Sequence, residues 1–220
     1  MIHVVIADDH PVVRQGLKRI LAEETDMTLT AEAGTGQELM EKLGEAVCDV
    51  VLLDISMPGR GGLDTLNELR RQHPKLPILV LSIYPEDQFG PRVLKSGAAG
   101  YMNKETACEQ LVSAIRKVCA GGKYVSSALA EKIAADMSGD TQRAPHETLS
   151  HREYQVMRLL ASGKTVSQIA RDLYLSQKTI STHRARLLEK MRMKTNAELT
   201  FYAVQNHLIE PYPATHQDPT

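Results

Sequence analysis

The chain has 220 residues, of which 42% are hydrophobic and 24% charged, and this composition predicts a globular protein with room for two modest domains. No apolar run approaches the roughly 18 residues that a membrane span needs, and the first residues lack the basic and apolar stretches of a secretory signal. The three cysteines are odd in number and widely spaced, so they fit neither a disulfide framework nor a metal knuckle and predict reduced thiols in a cytoplasmic protein. No membrane partner is expected.

Apolar runs and helical patterns alternate through the first part of the chain. Largely apolar runs predict four strands, at residues 2–7, 49–55, 77–82 and 98–102, and a weaker pattern predicts a fifth at residues 29–33. Five helical stretches predict the intervening helices, at residues 11–21, 36–43, 63–72, 86–95 and 106–120. Strands that are apolar throughout are covered on both faces, so the pattern predicts an α/β domain with a doubly wound, five-stranded parallel sheet.

Helices alone follow this α/β part. Residues 126–137 predict one further helix, and residues 138–148 have the polar composition of a linker. Four helices are then predicted near 151–161, 166–172, 177–191 and 196–207, giving an all-α domain at 149–210. The last ten residues hold three prolines and few apolar side chains, which predicts a disordered tail at 211–220.

Charge is distributed unevenly between these two parts. Residues 1–122 carry 13 Lys and Arg against 17 Asp and Glu, a net charge of −4, whereas residues 149–210 carry 10 against 5, a net charge of +5. An acidic first part and a basic second part indicate two tasks, the second involving a polyanion. Chance variation of surface charge would also explain the asymmetry.

Polar residues stand where the predicted strands end. Asp8 and Asp9 follow the first run, Asp54 lies near the end of the third, Ser82 ends the fourth, and Lys104 follows the fifth. In parallel sheets the ligand crevice lies beyond the carboxyl ends of the strands. The topology therefore predicts that these five residues gather at one edge of the sheet.

This set of side chains favours phosphate chemistry. The Asp54 carboxylate could attack a phosphoryl group and form an acyl phosphate. Because an anion then attacks an anion, a hard cation is required, and Mg²⁺ held by Asp8, Asp9, Asp54 and the backbone carbonyl of Ser56 would supply it. Lys104 would add a fixed positive charge, and Ser82 would donate a hydrogen bond to a phosphoryl oxygen.

Each residue taken alone also has a structural explanation. Asp9 could serve as a helix N-cap, Ser82 could end a strand, and Lys104 could be a solvated loop residue. Asp54 is harder to explain in this way, because burial of an unpaired carboxylate is costly. The conjunction of the residues carries the prediction.

The motifs of the first part resemble those of a receiver domain of two-component response regulators over residues 1–122. The matching segments are 5–10, 52–58 with Gly62, 81–82 and 97–104. The resemblance implies a flavodoxin-like fold, bound Mg²⁺, and phosphorylation of Asp54 by a sensor histidine kinase. It also implies that Ser82 and Lys104 sense the phosphate and that Ser82 and Tyr101 form a conformational switch; Tyr101 could instead be a half-buried aromatic at the sheet edge.

The basic second part contains a candidate DNA-binding motif. Ser150 and Glu153 have the spacing of a capping box at the start of a helix. Further on, a short helix, a brief turn and a polar, basic helix follow one another, which is the layout of a helix-turn-helix. A solvated charged face on a packed helix would give the same pattern.

The longer pattern from Leu149 to Met191 resembles the LuxR-type helix-turn-helix. A receiver, a linker at 123–148 and this module, in that order, resemble the NarL/FixJ subfamily of response regulators. The resemblance implies dimerisation through the last helix, around residues 195–206, and contacts to promoter DNA from the basic helix. The expected contact residues are Lys178, Thr179, Ser181, Thr182, His183, Arg184 and Arg186.

The expected function is therefore that of a DNA-binding transcription regulator that is switched by phosphorylation of Asp54 and forms a homodimer when it is phosphorylated or bound to DNA. It is not expected to be an enzyme beyond slow hydrolysis of its own aspartyl phosphate. A phosphatase of the haloacid-dehalogenase kind would place a second Asp two residues after the nucleophile, where this chain has Ser56. A regulator that binds DNA without phosphorylation, or a simple interaction scaffold, would also be compatible with parts of the sequence.

Overall fold

The computed structural model describes residues 1–57, 62–84, 86–104, 107–137 and 144–209. These form two compact units, Met1–Gln142 and Arg143–Thr220. The tail predicted at 211–220 lies outside the described residues. None of the helices in the described ranges combines the length and the apolar character that a membrane crossing requires.

The first unit is built on a five-stranded parallel sheet, which confirms the predicted fold class. The sheet order is β2-β1-β3-β4-β5. Every residue of β3 and β4 is buried, because helices cover both faces of the sheet. The strands are β1 (Ile2–Ala7), β2 (Met27–Ala33), β3 (Val50–Asp54), β4 (Ile78–Ser82) and β5 (Gly100–Asn103).

Five helices alternate with the strands. Pro11 opens the first of them, in the first turn where its missing N–H costs no hydrogen bond. Buried leucines of these helices, among them Leu17, Leu21 and Leu111, close over the apolar strand residues. The helices are α1 (Pro11–Ala22), α2 (Gly36–Glu45), α3 (Gly62–Gln72), α4 (Glu86–Lys95) and α5 (Ala107–Cys119).

The segment after α5 packs on the same unit. Tyr124 forms a parallel bridge with Gly100 of β5, and its carbonyl accepts a hydrogen bond of 3.2 Å from the Tyr101 N–H. Helix α6 (Ser127–Met137) packs against α4. A Cβ atom on Gly90 would lie 2.6 Å from Leu129 Cδ2, so a larger residue at this position would require the Leu129 side chain to shift where α6 meets α4.

Over residues 144–209, the second unit consists of four α-helices preceded by a 3₁₀ helix at Pro145–Thr148, within the stretch for which a linker is predicted. The capping box predicted from Ser150 and Glu153 is present at the start of the first α-helix. A second capping box, formed by Thr165 and Gln168, opens the next. The four helices are α7 (His151–Ala161), α8 (Val166–Asp172), α9 (Gln177–Lys190) and α10 (Asn196–Gln205).

All four of these helices end in the same way. The second residue after the helix adopts a positive φ, and the next N–H bonds back to a carbonyl five residues earlier, as in Leu175 N–H to Ala170 O at 2.9 Å. This Schellman ending normally takes glycine, which has no Cβ to clash in the left-handed conformation. Glycine ends only α7; the four residues at this position are Gly163, Tyr174, Arg192 and His207.

Candidate phosphate site and nucleic-acid interface

The carboxyl ends of β1 and β3 place two aspartates side by side. Ala7 pairs with Leu53 in the sheet, so the residues that follow them, Asp8 and Asp54, are neighbours. Both are almost fully buried, each with 1% of its surface exposed. Two adjacent buried carboxylates repel one another and lose hydration, so the site requires compensating positive charge.

Asp54 receives part of that compensation from the protein. Its Oδ1 accepts a hydrogen bond of 2.8 Å from the Ser56 N–H, and its Oδ2 accepts one of 2.6 Å from Lys104 Nζ. Burial raises the pKa of Asp54 above its usual value and nearby Asp8 adds to the shift, although the charge of Lys104 opposes both. Desolvation therefore outweighs the contacts with Lys104 and Ser56 in setting the pKa of Asp54.

Lys104 is held between the two carboxylates. Its Nζ lies 2.7 Å from Asp8 Oδ2 as well as 2.6 Å from Asp54 Oδ2, and its own N–H donates to the Ser82 carbonyl at 2.9 Å. Burial lowers the pKa of Lys104, but the two carboxylates outweigh it and the net pKa is raised. The lysine therefore stays charged at this edge of the sheet.

The donor set fits a divalent cation. Three carboxylates face one lysine, which leaves a formal charge of −2. Asp8 Oδ2 and Asp9 Oδ1 are shielded from solvent; Asp8 Oδ2 contacts Lys104 Nζ and Asp9 Oδ1 contacts His10 Nδ1, and each carboxylate oxygen keeps a further lone pair for a cation. Ligand atoms of Asp8, Asp9, His10 and Asp54 all lie within 4.8 Å of one another. An oxygen-rich set of this charge suits Mg²⁺.

His10 is the residue at this site that the sequence does not single out. Its N–H donates to Asp8 Oδ1 at 2.8 Å, and its Nδ1 lies 3.0 Å from Asp9 Oδ1. His10, and not Asp9, occupies the N-cap position of α1, with no side-chain capping bond. The position of His10 directly after two aspartates is the only sequence signal that could have indicated it.

The switch residues predicted at Ser82 and Tyr101 are both fully buried and share a neighbour. Ser82 Oγ accepts a hydrogen bond of 3.1 Å from the Tyr84 N–H, and the Tyr101 hydroxyl donates one of 2.9 Å to the Tyr84 carbonyl. Burial raises the pKa of Tyr101, so its hydroxyl remains a donor. The backbone of Tyr84 thus connects the two side chains.

In the second unit, α9 presents a polar stripe to solvent. Four of the predicted contact residues are exposed at helical spacing: Lys178, Ser181, Thr182 and Arg186. Ala185 lies on the same stripe and is also exposed; its apolar side chain gave no reason to select it. The opposite face is core, with Ile180 and Leu187 fully buried.

The other three predicted contact residues are partly engaged within the unit. Thr179 Oγ1 lies 2.8 Å from Ser176 Oγ at the cap of α9, and Arg184 Nε donates to Asn196 Oδ1 at 2.8 Å. Burial lowers the pKa of His183, although Glu153 opposes the shift. These three side chains are less available to a partner than the exposed stripe.

The last helix divides its apolar residues between core and surface. Leu199 and Ala203 of α10 are fully buried, whereas Phe201 is 70% exposed and Val204 is 38% exposed. Phe201 and Val204 are three residues apart, so they lie on the same side of the helix. The helix therefore carries a solvent-facing apolar patch as well as a core face.

Comparison with known proteins agrees with both units. A family model described as "Response regulator receiver domain" matches residues 4–116, and one described as "Bacterial regulatory proteins, luxR family" matches residues 147–203. The chain is a response regulator. It has the receiver and LuxR-type domains of the NarL/FixJ subfamily, and it is a phosphorylation-controlled DNA-binding regulator of a two-component system.

Relatives of this regulator match it along almost its whole length. It is 36% identical over 211 residues to the response regulator GacA of Pseudomonas viridiflava, covering 96% of this chain and 99% of that protein. It is 35% identical over 209 residues to the response regulator UvrY of Escherichia coli strain K12, covering 94% and 96%. Both relatives cover the receiver and the DNA-binding domain together.

Solved structures of RcsB give the same fold. RcsB from Salmonella enterica serovar Typhimurium, bound to promoter rprA with the phosphomimetic BeF3-, is 25% identical with a TM-score of 0.63, covering 91% of the regulator and 97% of that chain. Another structure shows RcsB in complex with DNA, at 27% identity and a TM-score of 0.57, covering 91% and 96%.

Glu153 of the LuxR-type domain gives a test of what holds that domain together. Its carboxylate, 4% exposed, accepts hydrogen bonds from the Ser150 N–H and from Lys190 Nζ, both at 2.7 Å. Burial tends to raise the pKa of Glu153, but these bonds outweigh it and hold the pKa below its usual value. A lowered folded-state pKa stabilises the fold above the unfolded pKa of about 4.3, and this stabilisation is lost as the pH falls further.

Glu153→Gln is therefore expected to lower the free energy of unfolding of the LuxR-type domain by about 2 kcal/mol near neutral pH. The difference from wild type should shrink below about pH 4.3. Hydrogen exchange of the α7 and α9 amides, followed in both proteins over a range of pH, measures this difference in the free energy of unfolding. Glu189→Gln, at an exposed position of α9, is the control and should change little; a pH-independent difference for Glu153→Gln would contradict the assignment.

Proposed function

We propose that Asp54 is the phosphorylated residue and that a sensor histidine kinase is the donor. The observation that carries the proposal is the burial of Asp54 against Asp8 and Lys104 at the carboxyl edge of the sheet. An Asp54 carboxylate oxygen attacks the phosphorus, and the bond from phosphorus to the donor nitrogen breaks. The product is an acyl phosphate on Asp54.

Asp8, Asp9, Asp54 and the backbone carbonyl of Ser56 would hold Mg²⁺ at this site. When bound, the cation offsets the negative charge of the carboxylate and the incoming phosphoryl group. The hydrogen bond from the Ser56 N–H orients one Asp54 oxygen and leaves the other beside Lys104. Lys104 would then pair with a phosphoryl oxygen in place of the Asp54 oxygen it now contacts.

Ser82 and Tyr101 would convert the phosphate into a change of shape. A hydrogen bond from the Ser82 hydroxyl to the phosphoryl group would change the contact that Ser82 Oγ makes with the Tyr84 N–H. The Tyr84 carbonyl also accepts a hydrogen bond from the Tyr101 hydroxyl. A shift of the Tyr84 backbone would therefore move the Tyr101 ring. The phosphoryl group would thereby shift the population of receiver conformers.

Helix α9 would place its exposed stripe in the major groove of promoter DNA. Phosphate contacts from Lys178 and Arg186 would position the domain, while Ser181 and Thr182 approach base edges. Thr179, His183 and Arg184 lie at the border of the exposed stripe of α9 and would be within reach of the DNA. The basic character of residues 149–210 supports a polyanionic partner.

A homodimer would form through the patch of Phe201 and Val204 on α10. Two DNA-binding domains related by a two-fold axis bind paired half-sites, and an exposed aromatic beside a β-branched residue suits a self-complementary contact. One RcsB structure describes two RcsB dimers bound to two parallel DNAs. Because its partner is promoter DNA, we expect the regulator to act in the cytoplasm. The only reaction that we expect it to catalyse is slow hydrolysis of its own aspartyl phosphate.

Phosphoryl mapping tests this proposal. The full-length regulator is treated with a small phosphodonor and Mg²⁺, and the modified residue is identified by mass spectrometry while promoter binding is followed in parallel. One phosphoryl group on Asp54, dependent on Mg²⁺ and accompanied by tighter DNA binding, is expected. Phosphate on another residue would overturn the site, and DNA binding unaffected by a phosphorylated Asp54 would favour a constitutive regulator.

A further inference from the structure

Tyr174 occupies a backbone position that disfavours it. It follows α8 with a φ of 53°, the left-handed conformation in which a Cβ atom crowds the neighbouring carbonyl and glycine is preferred. The N–H of Tyr174 bonds to the Arg171 carbonyl at 3.2 Å and that of Leu175 to the Ala170 carbonyl at 2.9 Å. Glycine would make the same two bonds with less strain, so the turn itself does not require a tyrosine.

The side chain of Tyr174 adds little to the folded domain. It is 77% exposed, and within the described residues its hydroxyl has no hydrogen-bond partner. An exposed aromatic in a strained turn bears the cost of the backbone conformation without a gain from burying its apolar area. This combination points to a contact outside the chain.

The position of Tyr174 indicates what that contact is. It lies two residues before Ser176, the N-cap of α9, and α9 carries the exposed Lys178 in its first turn. A helix N-terminus and a lysine favour an anion. The nearest acidic side chain in sequence, Asp172, is paired with Lys164 at 2.6 Å, so it does not leave this turn with an uncompensated negative charge.

We propose that the Tyr174 hydroxyl donates a hydrogen bond to a backbone phosphate of DNA beside the groove that α9 enters. Tyrosine is among the side chains that make such phosphate contacts, which set the register of a protein on the duplex without reading bases. The inference rests on the proposed use of α9 as the DNA-reading helix. It adds a neutral positioning residue to the charged residues of that helix.

The test compares two substitutions at Tyr174 with a matched glycine substitution elsewhere. Tyr174→Gly removes the side chain and the strain, and Tyr174→Phe removes only the hydroxyl. His207→Gly is the control, because His207 has the same φ of 53° after α10 and is also exposed. Lys178→Ala tests α9 itself. The probe is a duplex selected by the wild-type protein from random-sequence DNA, with all proteins full length and treated with phosphodonor and Mg²⁺.

Both glycine variants are expected to raise the melting temperature, but only Tyr174→Gly should weaken DNA binding, by about fivefold. Tyr174→Phe should weaken binding to a similar extent. Because tyrosine is uncharged, the salt dependence of binding should stay as in wild type for both Tyr174 variants, whereas Lys178→Ala should reduce its slope by about 1.

Two results would overturn the inference in distinguishable ways. Wild-type DNA affinity in Tyr174→Gly or Tyr174→Phe, together with weakened binding in Lys178→Ala, would refute the tyrosine contact and leave the role of α9 intact. Wild-type affinity in all three variants would refute the proposed DNA-binding use of α9 and the tyrosine contact with it.

Discussion

Replacing Asp54 with asparagine is expected to reduce phosphoryl incorporation from a small donor to less than about one hundredth of the wild-type level. The amide has no anionic oxygen to attack phosphorus and no means of forming an acyl phosphate. The change keeps the size of the side chain and removes one of the two buried carboxylates beside Lys104. Mass spectrometry of the intact protein after treatment with donor and Mg²⁺ measures the result.

The increase in promoter affinity that follows donor treatment should disappear in the same variant. Asp64→Asn makes the identical chemical change at an exposed position of α3, and this control should respond like wild type. If Asp54→Asn protein still gained promoter affinity on donor treatment, the acceptor would be a different residue and the assignment of the edge site would be wrong.

Replacing Gly62 with alanine is expected to destabilise the receiver by about 3 kcal/mol or more. Gly62 begins α3 and is buried against the backbone of Ile55. A Cβ atom there would lie 2.2 Å from Ile55 Cα and 2.5 Å from the Ile55 carbonyl oxygen. Backbone atoms cannot turn aside as a flexible side chain can, so α3 or the residue directly after Asp54 must shift.

Chemical denaturation of the full-length protein, followed by a receiver-specific signal, measures this effect. Gly16→Ala is the matched control, because Gly16 lies in α1 with nothing within 4 Å of its built Cβ. That variant should gain about 0.5 to 1 kcal/mol from better helix propensity. Similar stabilities for the two variants would show that the approach of Gly62 to Ile55 does not constrain the fold.

The edge of the sheet that holds the site is predictable from the sequence because β3 and β4 are apolar runs that stop at a polar residue, and β1 is followed directly by two aspartates. The parallel order then brings Asp8 and Asp54 together without any long-range information. The position of Lys104 between both carboxylates is less predictable, since it depends on a backbone bond to the Ser82 carbonyl. A backbone hydrogen bond of this kind cannot be predicted from the residue types, because every residue except proline has the same backbone donor and acceptor.

Two other features cannot be predicted from the sequence, each for a different reason. The pairing of Tyr124 with Gly100 involves a single residue, which is too short to produce a strand pattern. The left-handed endings at Tyr174, Arg192 and His207 are hidden because glycine is the usual signal for them. In contrast, the capping box of Ser150 and Glu153 is predictable, since both its bonds are local and depend on residue type.

The docking of the segment after α5 has a consequence for building chimeric regulators. Tyr101 bonds through its N–H to Tyr124, and Leu129 of α6 fits over Gly90. A receiver cut at Gly122 and fused to a foreign output domain would lose both contacts and leave the Tyr101 N–H without the Tyr124 carbonyl. A cut after Met137, at the end of α6, would keep both contacts, so a chimera joined there is expected to retain a more stable receiver than one joined at Gly122.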